Sequence, residues 1–278
     1  MVKSILLSVD GSAYTDTVLR YGIHCSKACG ALLRVLSVID VRIFEWVVAA
    51  GADGFVPIIP SALYQEESRR LLDERASAVL DKCRENLQNE KCKFELSKIS
   101  GPPVDVICEQ ALTVDLVVMG ARGEFARWES KMIGATVEAV SRLCNKSTLI
   151  VDKDFITPSK MLMAYDGSPN ANRALGIAGF MAQKLEVPMV LLTVTEQPEH
   201  GRNVLREAER YLEPYEIDLQ SEIARGTVDE VIVNYAESNH CDLIAMGAYG
   251  HSRIREAILG SNTEQIIRKS KVPVLLAK

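Results

Sequence analysis

The sequence predicts an α/β protein made of two tandem, doubly wound domains, each on a five-stranded parallel sheet. Two observations carry this expectation. The chain repeats itself: ILLSVDGSAYTDTVLRYGIHCSKACGALLRVLSVID from Ile5 aligns without a gap to MLMAYDGSPNANRALGIAGFMAQKLEVPMVLLTVTE from Met161, so that Asp10 falls on Asp166 and Val38 on Val194. Within each copy, short apolar runs alternate with longer amphipathic ones, which is the pattern of strands joined by helical crossovers.

The elements follow in the same order in both copies. ILLSV, LLRVLSV, FELSKI, LVVMG and TLIVD read as the strands of the first copy, being short, rich in branched residues and nearly continuously apolar. In the second copy ANRALGIAGFMAQKL sets Leu175, Ala178, Ala182 and Leu185 at helical spacing, and VDEVIVNYAE does the same with Val228, Val231, Ile232 and Tyr235. Later landmarks also correspond: GPPVDVI with GTVDEVI, DLVVMGARG with DLIAMGAYG, STLIVDK with VPVLLAK. The Pro-containing DFITPSK segment marks the boundary, giving domains 1–155 and 156–278. Residues 40–67 have no counterpart in the second copy. Their apolar stretch FEWVVAAGADGFVPIIP reads either as a flap packed on its own domain or as a lid or partner-binding element. Directly after the second strand, it is expected to fold over or beside the first crevice.

Composition narrows the function. A net charge of -5, with 47% hydrophobic and 25% charged residues, fits an ordinary globular protein and argues against a general nucleic-acid or anionic-membrane surface. The N-terminus MVKSILLSVDGS has too short an apolar run for a signal peptide, and no stretch suggests a membrane span, so a cytoplasmic location is expected. Seven cysteines, without a CxxC pair, fit reduced and mostly buried thiols; Cys25 and Cys29 share a helix face, which leaves a redox pair open.

Ligands of doubly wound sheets bind beyond the carboxyl ends of the strands, where the strand order reverses. At such a strand end CDLIAM runs into Gly247, Gly250 follows, and Gly260-Ser261 precedes NTEQIIRKS, a helix with Ser261 at or near its N-cap. A helix N-terminus presents unpaired N–H groups to an anion, phosphate above all. Each glycine alone also reads as a strand end or helix start with nothing bound, and Asp166 in DGSP as a plain turn.

Together these residues resemble the universal stress proteins in a tandem two-domain form, over nearly all of both halves. Nucleotide-binding members of that family show Gly, two residues, Gly, nine residues, Gly, then Ser or Thr, and Gly247, Gly250, Gly260 and Ser261 fit that spacing in full. The resemblance implies an adenine nucleotide α-hydrolase-like fold. It implies that Asp166, flanked by Ala164 and Tyr165, faces the nucleoside and that the backbone of Val194 reads the adenine edge. Met246 and Gly247 would border ribose and phosphates, with Gly250, Gly260, Ser261 and Asn262 on the phosphate chain. His251, inside the loop, would touch phosphate or a metal-bound water, or be solvated. The implied ligand is ATP or another adenine nucleotide, ADP or AMP, with Mg2+ as its companion ion. Because family members often dimerise through their last strands, the two halves are expected to pair as a pseudo-twofold internal dimer; further homodimerisation stays open.

The first copy departs from the pattern. Ten residues separate Gly123 from Gly134, and Ala135 stands where Ser or Thr is needed. Val9, Asp10, Val38, Met119, Gly120, Gly123 and Gly134 therefore mark a degenerate second site. No P-loop, no SGGxDS loop of the related ATP pyrophosphatases and no metal-ligand spacing is present, and His24, His200, His240 and His251 form no evident pair, so no catalytic residue is assigned. The resulting expectation is a nucleotide-responsive regulatory protein of the stress response, acting on an unidentified protein partner. The alternatives are a slow ATP hydrolase and a nucleotide-free interaction scaffold.

Overall fold

The computed structural model describes residues 1–40, 62–123, 133–248 and 260–278, with side chains from residue 66 onward in the second segment. The first half comprises β1 Ser4–Val9, α1 Thr15–Cys29, β2 Leu32–Asp40, α2 Ala62–Asn89, β3 Phe94–Gly101, α3 Pro103–Ala111, β4 Leu116–Gly120, α4 Ala135–Leu143 and β5 Ser147–Val151. The second comprises β6 Met161–Ala164, α5 Pro169–Leu185, β7 Met189–Val194, α6 Pro198–Leu212, β8 Leu219–Ala224, α7 Val228–Ser238, β9 Leu243–Gly247, α8 Ser261–Lys269 and β10 Val274–Ala277.

All ten strands form one sheet in the order β3-β2-β1-β4-β5-β10-β9-β6-β7-β8. Every pairing is parallel except β5 with β10. Each half is thus the expected doubly wound five-stranded unit, and its strand order reverses between β1 and β4, or β6 and β9. Central strands are buried on both faces, as in β5, where every residue is buried; this is why they read as unbroken apolar runs. The outer strands β3 and β8 alternate burial and carry Glu95, Lys98 and Glu222, charges that keep open sheet edges from pairing with other chains.

Local chemistry sets the helix ends. Ser168 caps α5 by accepting the amide of Ala171, and Pro169 occupies the first helical turn, where its missing N–H costs nothing. The apolar stripe of α5 buries Leu175, Ala178 and Ala182. Two aspartates fix the start of each half in the same way. Asp115 accepts the amides of Lys3 and Ser4 at 2.7 and 3.0 Å, and Asp242 those of Ser159 and Lys160 at 2.8 and 3.1 Å.

The halves join through β5 and β10, with Ile150 opposite Val274, Leu149 opposite Leu275 and Thr148 opposite Leu276. Buried residues on both faces of the sheet run across this seam: Leu149 and Leu275 belong to one apolar cluster, Ile150, Val274 and Leu276 to the other. The internal pseudo-dimer is therefore built on a shared core. The connecting segment is fastened as well. The Tyr21 hydroxyl of α1 donates to the Ile156 carbonyl at 2.9 Å and accepts from the Ile156 amide at 3.1 Å, while the Tyr21 and Phe155 rings lie 4.6 Å apart.

Of the unmatched residues 40–67, 41–61 lie outside the described residues, and from Ala62 the chain is already helical, continuous with α2. All seven cysteines are free thiols, and Cys25, Cys83, Cys144 and Cys241 are buried. Burial pushes Cys25 up to about 12, which removes the thiolate character that a reactive redox pair with Cys29 needs. Among the described residues, no helix is long and apolar enough to cross a membrane.

Candidate functional site

The second-half crevice opens where β6 and β9 part. β6 ends at Ala164, and the chain turns through Asp166, whose Oδ1 accepts the Ser168 amide at 2.9 Å, and Gly167, at φ 74°, a left-handed conformation that glycine adopts without strain. β7 outruns β6. Its pairing with β6 stops at Leu192, whose carbonyl accepts the Tyr165 amide at 2.9 Å, whereas its pairing with β8 continues to Val194. Main-chain polar groups of a parallel strand alternate sides, so those of Val194 point to the side on which β6 has already ended. A strand backbone is thus presented at the crevice with a donor and an acceptor in line.

The crevice has a volume of about 480 Å3. It brings together Ala164, Tyr165, Asp166, Val194, Met246 and Gly247 with Gly260, Ser261 and Asn262 from the start of α8. Gly250 and His251 lie outside the described residues. Tyr165 is buried and supports the wall: its carbonyl accepts from Thr193 Oγ1 at 2.8 Å, and burial raises its phenol above the usual range.

The glycines separate into two kinds. A Cβ at Gly247 would lie 2.7 Å from the Asn170 carbonyl carbon and 2.8 Å from the Ala171 nitrogen, so the first turn of α5 requires glycine there whether or not a ligand binds. Gly120 is required in the same way by Tyr14, at 2.5 Å. Gly260 differs. It is the N-cap of α8, with ordinary extended backbone (φ -55°, ψ 137°), and among the described residues a Cβ would meet only Thr263 Oγ1 at 3.5 Å. Ser261 is the first helical residue, one place inside the cap, and the N-cap, a glycine, offers α8 no side-chain cap. Its first-turn amides therefore face the crevice beside exposed Ser261 and Asn262.

The first-half crevice is smaller, about 190 Å3. Val9, Asp10, Val38, Met119, Gly120 and Gly123 all line it; Gly134 does not. The Gly134 amide donates to the Ala121 carbonyl at 3.0 Å, and a Cβ there would sit 3.2 Å from Arg122 Cα. The chain after β4 thus lies against the cap of α4; the corresponding residues after Ala248 lie outside the described residues.

Sequence reasoning missed the contribution of α2 and α6. Gly11 and Gly167 correspond, and Val79 and Val204 are the nearest side chains to their respective Cβ positions, at 2.8 and 3.3 Å. One turn earlier stand Arg75 and His200, and both line their crevices. The signal was the burial period of Leu80, Cys83 and Leu87 against Leu205, Ala208 and Leu212, which sets the two helices in register.

A model described as the universal stress protein family matches residues 1–152 and again 158–278. The chain belongs to the universal stress protein family. Universal stress protein Slr1230 from Synechocystis sp. is 31% identical over 287 residues, covering 99% of this chain and 99% of that protein. A universal stress protein of Mycolicibacterium smegmatis is 24% identical over 298 residues, covering 99% and 96%. The crystal structure of a universal stress protein from Archaeoglobus fulgidus aligns at a TM-score of 0.78 with 26% identity, covering 99% of this chain and 98% of that one. The tandem arrangement therefore extends to relatives of the same length.

Proposed function

We propose that the chain is a regulatory universal stress protein that binds an adenine nucleotide in its second half, residues 156–278, while the first, residues 1–155, has lost the phosphate cradle. One observation carries the reading: Gly260 is a glycine that its described neighbours do not demand, set at the N-terminus of α8 on the wall of a crevice of about 480 Å3. Absence of a side chain there leaves room for an anion to approach the first-turn amides of α8, and the crevice falls within the range of about 300–1,000 Å3 usual for small-molecule sites.

The residues present fit the ligand from base to phosphate. The main chain of Val194 offers the acceptor and donor that complement the amino group and ring nitrogen of an aminopurine. Asp166, at the β6 turn, is placed for ribose hydroxyls, and Met246 and Gly247 floor the sugar. Gly260, Ser261 and Asn262 would hold phosphate through main-chain amides and two short polar side chains. Backbone recognition explains why so few charged residues mark the crevice. Occupancy would stiffen α8, which packs on α7 through the ion pair of exposed Lys269 with buried Asp229, 2.6 Å apart, and so would signal to a protein partner at the outer surface.

The test is release and titration. Freshly purified protein, denatured and analysed by mass spectrometry, should yield adenine nucleotide at about one per chain, and calorimetric titration of emptied protein with AMP, ADP and ATP should give one site. No nucleotide released and no binding on titration would sink the reading.

A further inference from the structure

The two halves satisfy one corresponding carbonyl differently. Ala121 directly follows β4 and Ala248 directly follows β9, and their amides are fixed alike, donating to the Val151 carbonyl at 2.8 Å and to the Ala277 carbonyl at 3.0 Å. In the first half the Ala121 carbonyl accepts the amide of Gly134, the N-cap of α4, at 3.0 Å. In the second the Ala248 carbonyl accepts from Thr263 Oγ1 at 3.2 Å, and among the described residues no carbonyl takes the amide of Gly260, the N-cap of α8.

One side chain accounts for the difference. Thr263 is the third residue of α8 and Val137 the third of α4, and both are 2% exposed. Valine and threonine have nearly the same shape, but only threonine carries a donor. A buried hydroxyl is costly without a partner, and the carbonyl of buried Ala248 needs a donor, so each satisfies the other. Where valine stands, the donor to the corresponding carbonyl is the cap amide. The Thr263 hydroxyl also lies beside the cap, 3.5 Å from the Cβ position of Gly260.

We propose that Thr263 is a positioning residue for phosphate: its hydroxyl satisfies the Ala248 carbonyl and ties it to the first turn of α8, which leaves the Gly260 amide for a phosphate oxygen. Gly260, Ser261, Asn262 and Thr263 all line the second crevice, and amides at a helix N-terminus are what hold an anion there. In the first half Val137 leaves that carbonyl to the Gly134 amide, which is then spent. The inference deepens the nucleotide reading and rests on it.

The test compares AMP with adenosine, a ligand with the phosphate and one without it, by calorimetric titration of the full chain. Thr263→Val should lower AMP affinity about tenfold or more while adenosine affinity stays within about twofold of the parent, since only a hydrogen bond to a charged group is lost. Thr263→Ser keeps the hydroxyl and should restore AMP affinity. Retained adenosine binding shows that the valine variant is folded; should it not fold, Thr263→Ala removes the same hydroxyl and repeats the comparison. In the ligand-free protein, amide hydrogen exchange read by NMR should be faster at Gly260 than at Gly134, and loss of the Thr263 hydroxyl should slow Gly260 toward Gly134. Equal losses for AMP and adenosine, unchanged AMP affinity without the hydroxyl, no rescue by serine, no advantage of AMP over adenosine in the parent, or Gly260 exchange that does not respond would overturn the proposal, and AMP binding by the parent would still uphold the nucleotide reading. A parent chain that binds neither ligand would sink that reading and this proposal with it.

Discussion

Leu149 and Leu275 lie directly opposite each other in the antiparallel seam, and they are the same residue of the repeat, one place away from the match of STLIVDK with VPVLLAK read from the sequence. The registers show it: β5 pairs Leu149 with Val118 and Ile150 with Met119, and β10 pairs Leu275 with Ala245 and Leu276 with Met246. The pseudo-twofold axis therefore passes between the two leucines, which are 4% and 2% exposed. Truncating either to alanine should cost about 2–5 kcal/mol. Because they touch across the seam, the double variant should depart from additivity by about 0.5 kcal/mol or more in chemical denaturation. Strict additivity, or two separate unfolding transitions in the native chain, would mean that the halves are stable independently.

Tyr21 gives a second handle on the junction. It is 1% exposed, and its hydroxyl both donates to and accepts from Ile156. Burial, only partly offset by the hydrogen bond to Ile156, pushes the phenol up to about 12, so it stays protonated throughout the physiological range. Tyr21→Phe keeps the ring against Phe155 but leaves the Ile156 groups without that partner. A loss of about 1–3 kcal/mol is expected, with faster proteolysis of the 152–160 segment. Unchanged cleavage there would show that the linker is held by other contacts.

His24, also on α1, supplies a pH dependence. Burial, with Lys27 as a lesser cause, holds its imidazole below the ordinary value of 6.5, and its Nε2 is buried without a hydrogen-bond partner among the described residues. The folded state therefore binds fewer protons than the unfolded one. Stability should be fully present above pH 6.5 and should fall as the pH drops through the unfolded-state value toward the lowered folded one. His24→Leu should flatten the dependence of the denaturation midpoint on pH below about pH 6.5. If the variant keeps the wild-type slope, the acid sensitivity lies in other groups.

Much of this architecture was legible because repetition and periodicity are global signals. β1, β4 and β5 are buried on both faces and so read as unbroken apolar runs, and the repeat carried Asp10 onto Asp166 and Val38 onto Val194. Arg75 was not legible. It follows the unmatched segment 40–67, where the copies lose register, and only three-dimensional burial realigns Val79 with Val204. The glycines were half-legible. Their spacing announced a nucleotide motif, but Gly247 and Gly120 are demanded by the helix packed on them, and sequence cannot separate a glycine kept for packing from one kept for a ligand. Ser261 stands one place inside the cap because Gly260 itself has the extended backbone of an N-cap, a conformational choice that side-chain preference alone does not reveal.

That distinction yields the sharpest prediction. A Cβ at Gly260 makes only an ordinary contact with Thr263 Oγ1 among the described residues and lies in allowed backbone, so Gly260→Val should leave stability within about 0.5 kcal/mol of the parent. It projects into the crevice beside the first-turn amides of α8, so nucleotide affinity should drop about tenfold or more, equivalent to about 1.4 kcal/mol. Gly134→Val should do the reverse. Its Cβ would press on Arg122 Cα at 3.2 Å and on the Ala121 carbonyl oxygen at 3.4 Å, main-chain atoms that yield only by moving the loop, so a stability loss of about 1–3 kcal/mol is expected with nucleotide affinity unchanged. Calorimetry with AMP and denaturation of both variants measure the crossed pair. If Gly134→Val abolished nucleotide binding while Gly260→Val spared it, the longer first loop would be the working cradle, and the N-terminus of α8 would serve some other ligand.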